Sequence, residues 1–130
     1  MNLFDTSSIF AALIENRFDV LFGAITIPLA SYELGNIIWK KTALLEEISL
    51  EESLALLQML KTVMKNMKVL EDNGINPDSL RLAQREKLTY YDSSFIQAAI
   101  DLGSRIITED KKMQKTCLKL GIPVASIKEV

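Results

Sequence analysis

The chain follows one grammar along most of its length: a short apolar run, a small polar break, then a stretch with helical spacing. "NLF" breaks at "DTSS" and resumes as "IFAALIEN". Ala24 to Ile27 forms a second β-rich run, ended by Pro28, a residue favoured in the first turn of a helix. "MKVLE", "SRIIT" and "IPVASI" read as the third, fourth and last strands. These runs are continuously apolar rather than alternating, and helices separate them. Such a pattern predicts a parallel sheet with both faces covered. The expected class is therefore α/β: a three-layer α/β/α sandwich with a short, mostly parallel central sheet, in one domain over residues 1–130.

The helices carry their own signals. Asp5, Thr6 or Ser7 is placed to cap the first. Ala30, Leu34, Ile37 and Ile38 repeat at helical spacing in the next, where Gly35 suggests close packing. Ser49 with Glu52 three residues on is a capping box, followed by an apolar stripe of Leu50, Leu54, Leu57, Leu60 and Met64. That stripe reads either as core or as a partner face. Asn76-Pro77 opens a polar helix, and Gly103 and Gly121 stand where left-handed residues stop helices.

Composition removes whole classes of chemistry. The balance, 48% apolar and 25% charged, is that of a globular chain. No apolar run approaches the roughly 20 residues that span a bilayer, so a soluble, cytoplasmic protein with no membrane association is expected. The single Cys117 excludes an internal disulfide framework. The absence of histidine excludes Ser-His and Cys-His pairs and nearly all transition-metal sites. Any catalysis must run on carboxylates, hydroxyls, lysines or a hard metal ion. A net charge of −2 does not advertise nucleic-acid binding.

In an open α/β sheet, ligands bind beyond the carboxyl ends of the strands. Asp5 follows the first strand directly, and Asp110 follows "RIIT" by two residues. Glu33 lies in the first turns of the helix after Ile27. Asp92 begins the helix feeding the fourth strand, which is expected to start at the opposite edge of the sheet. Taken singly, each has an ordinary role: Asp5, Asp92 and Asp110 as helix caps, Glu33 as a surface residue. Taken together, four carboxylates repel one another unless a cation joins them. An all-oxygen donor set favours Mg²⁺ or Mn²⁺, ions suited to phosphodiester hydrolysis.

In their order and spacing, "LFDTSSI", "PLASYELGNIIWK" and "LTYYDSSFIQAAIDLGSRIITED" resemble the PIN-domain ribonucleases, in particular the VapC-type toxins of toxin–antitoxin pairs. The resemblance covers almost the whole chain. It implies a PIN-like fold and a Mg²⁺- or Mn²⁺-dependent endoribonuclease. Asp5, Glu33, Asp92 and Asp110 would form the catalytic, metal-holding pocket, with Asp92 brought to the rim by its helix. Thr108 and Ser7 would orient the carboxylates. Lys40, Lys41, Lys111, Lys112 and Lys115 are candidate contacts to the RNA backbone, with a solvated helix face as the competing role. Glu109 departs from what an RNA site would favour. A small VapB-like antitoxin and a homodimer are the implied partners, covering the Leu50–Met64 stripe and Trp39. The alternative is a non-catalytic PIN-like module that binds RNA or protein. "DTS" after the first strand does not fit the Asp-x-Asp of a haloacid-dehalogenase phosphatase, nor is a receiver domain's acidic pair evident.

Overall fold

Five short strands form one sheet in the order β3-β2-β1-β4-β5. They are β1 (Asn2–Phe4), β2 (Ile25–Thr26), β3 (Lys68–Val69), β4 (Arg105–Ile107) and β5 (Val124–Ala125). The structure, a computed structural model, describes residues 1–71 and 74–130. Every strand pair is parallel. Strands of two or three residues carry few ladder hydrogen bonds. The sheet is held instead by the burial of Leu3, Phe4, Ile25, Ile106 and Ile107, which join one continuous core.

Parallel strands need crossovers, and the helices supply them: α1 (Thr6–Ile14), α2 (Phe18–Leu21), α3 (Leu29–Trp39), α4 (Leu50–Asn66), α5 (Pro77–Glu86), α6 (Tyr90–Leu102) and α7 (Lys111–Leu120). From β1 the chain steps to β2 and β3 on one side, then crosses to β4 and β5 on the other. Right-handed crossovers place α1–α4 against one face and α5–α7 against the opposite face. Contacts run accordingly among α1–α4 and between α5 and α6. The expected three-layer α/β/α sandwich is thus the observed one. The reversal of direction between β1 and β4 is a topological switch point, where such sheets open a crevice at their carboxyl edge.

Most end signals act as read. Asp5 caps α1, Ser49 and Glu52 form a reciprocal capping box, and Asn76 caps α5 with Pro77 in its first turn. Gly103 and Gly121 end α6 and α7 with φ of 62° and 72°. Three readings change. A Cβ on Gly35 would meet nothing within 4 Å, so close packing does not explain that glycine. Leu50, Leu54 and Leu57 face solvent, Leu50 at 66% exposure, and only Leu60 of the stripe is fully buried. Leu54, Leu57, Leu60 and Met64 of the stripe line an open groove of about 710 Å³ between α3 and α4, whose other wall includes Leu34 and Gly35. Finally, α3 runs on into a π-helical turn, Lys40–Leu44. There the Thr42 hydroxyl donates to the Ile38 carbonyl at 2.8 Å.

Candidate active site

Asp5, Glu33, Asp92 and Asp110 line one open hollow of about 630 Å³ at the carboxyl edge of the sheet. β1 delivers Asp5 and β4 delivers Asp110, the two strands flanking the switch point. Glu33 comes from the second turn of α3. Asp92 corrects the expectation that its helix starts at the far edge. A helix feeding a parallel strand runs antiparallel to it, so its first turn lies at the carboxyl edge. Only Gly103 and Ser104 separate α6 from β4, and thirteen residues of helix return the chain across the sheet. Nor is Asp92 the cap of α6. Thr89 is, its hydroxyl accepting from the Asp92 amide at 3.0 Å. The Asp92 carboxylate is thereby left to the hollow.

Asp5 is the anchor. It is 3% exposed, and both carboxylate oxygens are engaged. Oδ1 accepts from the Ser8 amide at 2.9 Å and from the Ser7 hydroxyl at 2.7 Å. Oδ2 accepts from the Thr108 hydroxyl at 2.5 Å. Thr108 Oγ1 in turn accepts from the Asp110 amide at 3.1 Å. One buried hydroxyl therefore joins the acid of β1 to the acid of β4. Ser7 works similarly, receiving the Glu109 amide at 2.9 Å while donating to Asp5. Asp110 caps α7 with one oxygen, accepting from the Met113 amide at 3.0 Å. Glu33 accepts from the Thr6 hydroxyl at 2.6 Å.

Burial pushes the Asp5 carboxyl above the ordinary range, against the pull of its Thr108, Ser8 and Ser7 donors. Glu33 is raised chiefly by burial, with Thr6 opposing and the charges of Asp92 and Asp5 adding to the rise. Burial and the charge of Asp110 raise Asp92, while Thr89 and Lys112 oppose. Three acids thus hold protons more tightly than they would in water, in part because they face one another. Cys117 is buried, its thiol pushed up to about 11 by burial and then by Asp5, so it is no nucleophile at neutral pH.

None of the five candidate lysines lines the hollow. Lys41 pairs with Glu47 at 3.2 Å, and Lys112 donates to the Lys87 carbonyl at 2.8 Å. Lys40, Lys111 and Lys115 are exposed. Glu109 turns away from the hollow, its Oε1 accepting from the Ile127 amide at 2.6 Å. Sequence reasoning missed Thr6, Ser8 and Thr89. The signal for the first two was present in the unbroken hydroxyl run "DTSS", where Thr6 meets Glu33 and both Ser7 and Ser8 meet Asp5.

The donors suit a hard divalent cation: they are all oxygen, three are raised in pKa chiefly by burial, which a cation would offset, and one oxygen of Asp110 is uncommitted to its cap. Among the described residues no three acids are gathered into a closed metal site. Mg²⁺ does not require one, since it is commonly held by one or two carboxylates, with waters and substrate phosphate completing the shell.

No family model matches the chain. Among curated proteins it is similar to "Ribonuclease VapC3" of Pyrobaculum aerophilum, with 30% identity over 100 residues, 75% of this chain and 74% of that one. The chain belongs to the VapC family of PIN-domain proteins. A second relative from the same organism, "Exonuclease VapC9", is 34% identical over 87 residues. That match spans 67% of this chain and 62% of the relative's length, a little under two thirds. The crystal structure of PAE2754 from Pyrobaculum aerophilum resembles this VapC-family fold with a TM-score of 0.80 and 25% identity, over 98% of this chain and 91% of that one. VapBC-1 from nontypeable Haemophilus influenzae shares the fold at a TM-score of 0.55 and 14% identity, over 96% of each chain.

Proposed function

We propose that this chain is a Mg²⁺- or Mn²⁺-dependent endoribonuclease, the toxin of a VapBC-type pair. The observation that carries the reading is the convergence of four carboxylates from four segments on one hollow at the switch point. Relatives named ribonuclease and exonuclease support the reaction class. A divalent ion held there by one or two of Asp5, Asp92 and Asp110, with waters and the substrate phosphate completing its shell, would supply charge neutralisation at the phosphate and a more acidic water.

The chain's own residues do the rest. Thr108 and Ser7 fix the Asp5 carboxylate in one orientation, and the Asp110 amide fixes Thr108. Such support holds ligands in place before substrate arrives. Thr6 engages one oxygen of Glu33 and leaves the other for the attacking water. The raised proton affinity of Glu33 suits it to receive the proton as the water attacks. In-line attack with departure of the 3′-oxygen leaves a 5′-phosphate and a 3′-hydroxyl.

A small VapB-like antitoxin is the proposed inhibitor. The groove between α3 and α4, with exposed Trp39 beyond it, is the surface offered to such a segment or to a second copy of this chain. The deciding experiment uses protein freed of any partner. Wild type is expected to cleave RNA with Mg²⁺ or Mn²⁺ and to stop on chelation. Glu33→Gln and Asp92→Asn are expected to lose at least about 100-fold in rate. Full activity in those variants, with contaminating nuclease excluded, would refute the assignment. Metal-dependent RNA binding without cleavage would leave a binding module.

A further inference from the structure

Two of the chain's three tyrosines stand on the rim of the acidic hollow, each one residue before an acid. Tyr32 precedes Glu33 on α3, and Tyr91 precedes Asp92 on α6. Because α3 and α6 belong to opposite layers, the rings reach the rim from both sides of the sheet. Tyr32 is 80% exposed and Tyr91 59%. Among the described residues neither hydroxyl bonds to another protein group. Tyr90 shows what a structural tyrosine looks like in this chain: its hydroxyl accepts from the Asn76 amide at 2.9 Å and donates to the Gly74 carbonyl. Tyr32 and Tyr91 make no such ties, so folding does not account for their large aromatic rings.

The charge pattern leaves a role for them. A polyanion near four carboxylates has to be held by something, and proteins usually use lysine and arginine. Here the net charge is −2, and no lysine or arginine lines the hollow. Its neutral polar groups are Thr6, Ser7 and Asn36, and the apolar surface beside the two tyrosines comes from Leu29 and Ile37, with Phe95 and Met113 buried beneath. A base face stacks on such surfaces whatever its sequence. In a duplex those faces are covered by neighbouring bases, so only unpaired nucleotides can use them.

We propose that Tyr32 and Tyr91 are base-stacking platforms that seat the unpaired nucleotides on either side of the phosphate an RNA strand presents to the acids. The proposal rests on reading the hollow as an RNA site. It makes the chain select single-stranded segments by their base faces, with only a shallow dependence of affinity on salt.

The test is equilibrium binding of a short labelled RNA, single-stranded or as a duplex, with Ca²⁺ replacing Mg²⁺ to suppress cleavage. Tyr32→Leu and Tyr91→Leu are each expected to weaken single-strand binding about tenfold, while Tyr32→Phe and Tyr91→Phe bind as wild type. An abasic site beside the central phosphate is expected to cost wild type a similar factor and the Leu variants little more. Both residues are exposed, and the abasic arm leaves the protein untouched, so misfolding cannot imitate the result. Unchanged affinity in the Leu variants, or duplex bound as tightly as single strand, overturns the proposal. If wild type cleaves while the Leu variants bind normally, stacking falls and the nuclease reading stands. If the stacking pattern holds but no metal supports cleavage, the nuclease reading falls and the platforms stand.

Discussion

Thr108→Val changes almost nothing in shape, yet it should cost the protein much of its stability. The residue is wholly buried, and its hydroxyl makes bonds that valine cannot, two of them to the acid-bearing segments. It donates to Asp5 Oδ2 at 2.5 Å and accepts from the Asp110 amide at 3.1 Å. A hydrogen bond to a charged group contributes about 2 kcal/mol, and orphaning a partly buried amide costs roughly 1 kcal/mol more. The sum is about 3 kcal/mol, against a typical domain stability of about 5–15 kcal/mol. For 130 residues the unfolding entropy near the midpoint is about 0.27 kcal/mol/K. The expected fall in Tm is therefore about 11 °C. The Thr108 bond also lowers the Asp5 pKa, so the deficit should grow as pH rises and Asp5 ionises. Thr108→Ser keeps the hydroxyl and should lose much less. Thermal melts of the chelated protein at pH 5 and pH 8 measure both effects. A loss under about 1 kcal/mol, or one independent of pH, would refute the view that this hydroxyl holds the site together.

Two further outcomes follow from the same geometry. Asp5, Glu33 and Asp92 all have pKa values raised on folding. The unfolded chain then releases protons at lower pH than the folded one, so metal-free stability should fall as pH rises from the ordinary carboxylate range through the raised values. Millimolar Mg²⁺ or Mn²⁺ should restore more stability at pH 7.5 than at pH 5; equal restoration at both, read by thermal melts, would contradict this. Gly35→Ala adds a Cβ that meets nothing within 4 Å in the middle of α3. It should raise stability by about 1 kcal/mol, or roughly 4 °C in Tm, and a fall would mean that the glycine has a packing role after all.

The layer architecture was legible because most strands lie in short apolar runs between helices, β3 with its exposed Lys68 and Val69 being the exception, and a parallel sheet is what such runs form. Most helix ends were legible because their signals act locally: the side chains of Asp5, Ser49 and Asn76 at the starts, and the left-handed backbones of Gly103 and Gly121 at the stops. Asp92 shows where local reading stops. Its cap was assigned to the wrong residue because Thr89 lies three positions earlier, and its edge was misjudged through the direction of the crossover. The fate of the stripe on α4 depended on how α3 lies beside it, which no periodicity encodes. Glu109 could not be placed because its partner, the Ile127 amide, lies 18 residues away. The Thr108 bond spans 103 residues, and "TED" alone gives no hint that the hydroxyl reaches Asp5.

Two of the four acids are also helix caps: Asp5 holds the Ser8 amide and Asp110 the Met113 amide. Asparagine caps a helix about as well as aspartate, and a single-nucleotide change converts one codon into the other. At Asp110 a descendant of this chain can therefore lose its charge while keeping its fold, whereas at Asp5 the amide nitrogen would face the Thr108 hydroxyl that now donates to Oδ2. On the proposed reading, mutational drift then leads directly from an active site to an inert scaffold, with no unfolded ancestor between them. Folded, silent copies should accumulate among lineages in which the proposed activity is no longer under selection. Sequence surveys of such lineages should find asparagine at Asp110 more often than at Asp92, whose side chain caps nothing.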